Sequence, residues 1–140
     1  MAEGIFQHLV NEAGLSERFE IDSAGTSNYH IGQLPDERMR QTARDKGLEL
    51  TSRARQFVRS DFDDFHFVIP MDDSNLENML STTNTEPKAT VRKMGYYLDI
   101  KGQPDIPDPY FGGQQGFENV YQMLLEANKK LLEQILNDAV

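Results

Sequence analysis

The sequence predicts a single α/β domain built on a parallel sheet. Apolar residues recur at helical spacing in segments that alternate with short β-type runs. The connections between those runs are long enough for helical crossovers, which is the pattern of parallel strands rather than hairpins. Size agrees. A chain of 140 residues makes one domain, residues 1–140, and buries roughly two-thirds of its surface around one core.

The elements follow in order. Ala2, Ile5, Phe6, Leu9, Val10 and Ala13 mark a first helix that Gly14 is placed to end. Nothing ahead of Met1 caps it. Phe19 to Ser23 alternates apolar and polar residues as a short strand does, and runs into a small-residue loop from Ser23 to Asn28. Pro35 suits the first position of a second helix, with Asp36 and Glu37 in its opening turn and Gly47 at its end. Leu48 to Phe57 is a connection carrying Arg53 and Arg55. Phe65 to Met71 is the most apolar run and reads as a buried strand. Asp72 or Asp73 then caps a helix through about Ser81, and Val91 to Leu98 supplies one more short strand. A loop rich in Pro, Asp and Gly runs from Gly102 to Gly116. The longest helix follows, marked by Phe117, Val120, Tyr121, Leu124, Leu131, Leu132 and Ile135.

Composition removes several classes of function. The chain is 38% hydrophobic and 26% charged, with no cysteine. Disulfides, thiolate metal sites, iron–sulfur clusters and cysteine nucleophiles are therefore excluded within these residues. Fourteen basic residues stand against 23 acidic ones, a formal charge of −9, so the average surface repels nucleic acid and anionic membranes. The acidity has a location: no Lys or Arg falls between Arg59 and Lys88, where Asp61, Asp63, Asp64, Asp72, Asp73, Glu77 and Glu86 lie. That stretch reads as a solvated acidic face, or as an acidic interaction surface. No apolar run approaches the roughly 18 residues of a membrane span, and no basic leader precedes an apolar one. A cytoplasmic protein is expected.

Open parallel sheets place their sites at the carboxyl ends of strands. Three segments qualify: Ser23 to His30, Met71 to Asn75, and Asp105 to Gly113. In the last, Asp108-Pro109-Tyr110-Phe111-Gly112-Gly113 sets a carboxylate on a proline-stiffened turn beside two aromatic rings. Such a carboxylate has the character of a general acid, although Asp-Pro also simply opens a turn. His8, His30 and His66 share no ligand spacing, and no metal motif, glycine-rich phosphate loop or Ser/His/Asp constellation stands out locally. No metal and no cofactor are expected.

Taken together, Met1-Ala2-Glu3, Asp22-Ser23-Ala24-Gly25-Thr26, Arg53-Ala54-Arg55-Gln56, Met71-Asp72-Asp73-Ser74-Asn75 and Asp108-Pro109-Tyr110 resemble the low-molecular-weight protein tyrosine phosphatases of bacterial type. The resemblance covers essentially the whole chain. It implies a three-layer sandwich on a four-stranded parallel sheet. It also implies hydrolysis of phosphotyrosine, in proteins or as small aryl phosphates, through a cysteinyl-phosphate intermediate without metal. By the same resemblance Asp108 is the general acid and base, Tyr110 and Phe111 line one wall of the cleft, and Tyr29 flanks the substrate ring. Ser23 buttresses the phosphate loop, and Asp72 lies near the site without an assigned step.

The departures from that pattern are as informative. The family's nucleophilic cysteine opens a C-x5-R-S/T loop that ends just ahead of the segment resembling Met1-Ala2-Glu3. The expected missing piece is the first strand plus that loop, roughly a dozen to twenty residues. The 140-residue chain is expected to be inactive by itself, and the full-length product to be a phosphatase. Two alternatives remain: a non-catalytic remnant that binds partners, and a relative of the arsenate reductases that share the scaffold. Pro70 and His66 depart from the family in the best strand, and Pro70 removes a ladder donor there.

Overall fold

Helix α1 spans Ala2–Glu12 and stops at Gly14 as its sequence foretold. Gly14 takes φ +70°, and two hydrogen bonds close the end: Gly14 N–H donates to Asn11 and Leu15 N–H to Val10. This is a Schellman motif, and only the αL glycine allows it cheaply. The second helix, α2 (Glu37–Asp45), ends the same way at Gly47, with Leu48 N–H donating to Ala43. The computed structural model describes all residues except 26–31, 99–101, 103, 108–112 and 139–140.

The remaining elements are α3 (Asp61–Asp64), β1 (Phe67–Val68), α4 (Asp73–Leu80), β2 (Thr90–Val91) and α5 (Gly113–Asp138), with 3-10 turns at Ser16–Arg18 and Met94–Tyr97. β1 and β2 pair in parallel, Phe67 opposite Thr90 and Val68 opposite Val91. A separate parallel bridge joins Gly25 to Gln56.

Several expectations need correction. Among the described residues two strands pair as a sheet, and the first of the four expected strands was placed ahead of Met1. Phe19 to Ser23 forms no strand; one bridge at Gly25 is the regular pairing of that region. The run from Phe65 to Met71 keeps only Phe67–Val68 as strand. Pro70 lacks a donor, but its carbonyl still accepts from Met94 N–H at 2.8 Å. The segment expected as a strand from Val91 to Leu98 turns into the 3-10 piece after Lys93. Burying Met94, Tyr97 and Leu98 together needs a helical spacing, not an alternating one. Pro35 sits one residue outside the second helix, because Asp36 is the N-cap and accepts from Arg38 and Met39 N–H. The loop expected to reach Gly116 gives way to helix at Gly113.

The core lies where α1, α2, α5 and the 94–97 turn meet. Phe117, Val120, Leu124, Ala127 and Leu131 make one buried stripe along α5, facing Ile5, Phe6 and Val10 of α1. The amide of buried Asn128 donates to the Ala2 carbonyl, pinning α5 to the start of α1.

Candidate active site

Two chain segments converge beside the first turn of α1. Ser23 lies where the chain turns toward the Gly25–Gln56 bridge, and Ser52 lies on the segment leading to the same bridge. Both hydroxyls donate to one carboxylate, Ser23 Oγ to Glu3 Oε1 and Ser52 Oγ to Glu3 Oε2, each at 2.5 Å. A carboxylate suits the first helical turn, where it complements the dipole. Here it also ties the helix start to the two segments that lead into the Gly25–Gln56 bridge. Ser23 therefore holds the beginning of α1 through Glu3.

Arg55 makes the second knot. Its Nε donates to Asp22 Oδ2 at 2.9 Å, and its two Nη groups reach both oxygens of Asp61 at 3.0 and 3.1 Å. Asp61 is 6% exposed and also accepts from Val58 N–H. The hydrogen bond to Asp61 outweighs burial and, with Asp22, holds the Arg55 guanidinium above its ordinary range. Asp61 thus belongs to an internal ion pair and not to a solvated acidic face. Beside Ser23 and Ser52 opens a cavity of about 490 Å³, bordered also by Gly25, Leu34, Asp36 and Arg53. Arg53 donates to the Gly32 carbonyl at 2.9 Å along its rim.

A separate cluster forms at the carboxyl end of β1. Asp72 caps α4, its Oδ1 accepting from Asn75 N–H at 2.7 Å. This gives Asp72 a definite structural task. The carbonyl of Met71 accepts from Ile106 N–H at 2.8 Å, which brings the stem of the Asp-Pro-Tyr loop against the start of α4. Lys93 donates to Asp105 at 2.7 Å and lies 2.9 Å from Asp73.

Tyr29, Asp108, Tyr110 and Phe111 lie outside the described residues. Of the site residues expected from the sequence, Ser23 and Asp72 are placed, at the ends of separate segments. Glu3, Ser52 and Lys93 were not foreseen in these contacts. Arg55 drew notice only as part of a motif. The signal for them is weak, because apart from Asp61, six residues from Arg55, these partners lie 12 to 49 residues away in the chain. Among the described residues no group of three or more His, Cys, Asp or Glu is arranged to hold a metal ion. No described helix is long and apolar enough to cross a membrane.

The whole architecture has solved counterparts among the protein tyrosine phosphatases. One from Entamoeba histolytica, with Hepes in its active site, superposes with a TM-score of 0.90 at 33% identity, over 99% of this chain and 89% of that one. The family model for low molecular weight phosphotyrosine protein phosphatase matches residues 1–140. The chain belongs to that family. The low molecular weight phosphotyrosine protein phosphatase of Rattus norvegicus is 38% identical over 135 residues, 95% of this chain and 85% of the relative. That of Saccharomyces cerevisiae is 36% identical over 139 residues, 97% of this chain and 86% of the relative.

Proposed function

We propose that the protein is a cytoplasmic phosphatase of phosphotyrosine in proteins or of small aryl phosphates, working through a cysteinyl-phosphate intermediate. Its nucleophile and phosphate-binding arginine belong to a segment ahead of Met1. The family match along all of residues 1–140, in a chain with no cysteine, is the observation that carries this reading.

In the first step the cysteine thiolate attacks phosphorus and the phenolic oxygen leaves, taking a proton from Asp108. In the second step Asp108 removes a proton from water, which attacks the phosphocysteine and releases phosphate. Tyr29, Tyr110 and Phe111 hold the ring of the substrate. Glu3, gripped by Ser23 and Ser52, keeps the start of α1 in register with both neighbouring segments. Asp72 acts as the cap of α4.

The test has two arms. The 140-residue chain is expected to show no turnover of p-nitrophenyl phosphate above background, while the product of the extended reading frame turns it over. An in-frame stop codon shortly before Met1 would sink the proposal. So would robust turnover by the 140-residue chain that is abolished by Asp108→Ala.

A further inference from the structure

A lysine bridges two parts of the site region that the proposed chemistry needs in fixed relation. Lys93 Nζ sits 2.7 Å from Asp105 Oδ1 and 2.9 Å from Asp73 Oδ1, and its side chain is 15% exposed. Its neighbour Met94 is buried and donates from its backbone to Pro70. Ile106, the residue after Asp105, is buried and donates to Met71. The carboxyl end of β1 is therefore bonded through its backbone to both the lysine-bearing and the Asp105-bearing segments, and Lys93 joins the latter to the first residue of α4.

We propose that Lys93 is a positioning residue for the general acid: its ammonium staples Asp105, three residues before Asp108, to Asp73, and so sets where the acid-bearing chain leaves the sheet. The inference rests on the phosphatase reading above. Three residues span at most about 11 Å, so the chain itself keeps the acid within that reach of the stapled Asp105. General acids work only within hydrogen-bond reach of the leaving atom, and a misplacement of about 1 Å costs up to about a hundredfold. An ammonium suits the task because it serves two single-oxygen partners at once. The hydrogen bonds to Asp105 and then Asp73 hold its pKa above the ordinary lysine range, so it stays charged at neutral pH.

The experiment compares kcat/KM on phenyl phosphate and on p-nitrophenyl phosphate in the full-length protein that carries the nucleophile. Phenolate is a poor leaving group and needs its proton; nitrophenolate needs it far less. Lys93→Met is expected to lower kcat/KM about tenfold on phenyl phosphate and less than about twofold on p-nitrophenyl phosphate. Lys93→Arg restores most of the loss. Asp105→Asn reproduces it, and the double variant is no worse than either single one. Equal losses on both esters, or none, overturn the proposal. Asp108→Asn serves as the reference. A steep leaving-group response there with a flat one for Lys93→Met removes the lysine's role alone, whereas a flat response for Asp108→Asn removes the assignment of the acid and the proposal with it. Amide hydrogen exchange in the same protein gives a second readout. The Ile106 amide should exchange about tenfold faster in Lys93→Met while Val10 and Leu124 stay unchanged, and an unaltered Ile106 amide overturns the staple.

Discussion

The helical side of the molecule and the end of its sheet are held together by different physics. Where α1, α2 and α5 meet, buried Leu, Ile, Val and Phe side chains interlock, and α1 and α2 end in glycine motifs that settle their own backbone groups. At the sheet's carboxyl end, short strands of two residues each are supplemented by single bonds and by charged knots: Glu3 with Ser23 and Ser52, Arg55 with Asp22 and Asp61, Lys93 with Asp73 and Asp105. Dispersion and apolar burial are non-directional and forgiving of small shifts in chain course. Charged pairs demand a particular geometry and so fix it. The first region supplies stability and the second supplies placement.

The largest effect should come from the helical side. Leu124→Ala removes a buried side chain from the α5 stripe and should cost about 3 kcal/mol, read from a urea melt. A loss below about 1 kcal/mol would show that the interface relaxes freely, which would blur the contrast. Arg55→Met comes next, at about 2 kcal/mol. It strands the carboxylate of Asp61, left with Val58 N–H alone, but the 34% exposure of the Arg55 side chain lets water take up part of the deficit. Arg55→Lys should recover less than half, since one ammonium cannot reproduce the two-pronged contact.

The smallest is Asp36→Ala, at about 1 kcal/mol for a lost N-cap. Burial pushes the Asp36 carboxyl up, but the Arg38 guanidinium and the N–H groups of Met39 and Arg38 together outweigh it and hold the pKa below the ordinary 3.8. A carboxyl whose pKa is lowered by folding stabilises fully above its unfolded pKa and loses that contribution as pH falls through the folded value. The gap in melting temperature between the wild type and Asp36→Ala should therefore be constant near neutrality and close below about pH 4. A gap that widens in acid would overturn the cap assignment.

The same contrast explains what a single sequence discloses. α1, α2, α4 and α5 were legible because periodicity and end signals are local: Gly14, Gly47 and Asp72 do what their types suggest. The expected strand at Val91–Leu98 misled because its apolar density hid the 3-10 spacing of Met94, Tyr97 and Leu98. The polar knots were illegible because nothing near Arg55 in the chain says that Asp22, 33 residues earlier, will answer it. Asp61 even pointed the wrong way, since an acidic run reads as solvated until its partner is known.

One feature of the helical side bears on how the molecule is made. α5 packs on α1, on α2 and on the 94–97 turn, yet it is synthesised after all of them. At roughly 5 to 20 residues per second, the apolar faces of α1 and α2 wait several seconds on the ribosome without their common partner. Closure of the core is then a single late event, set by the arrival of 26 residues that zip against everything already present.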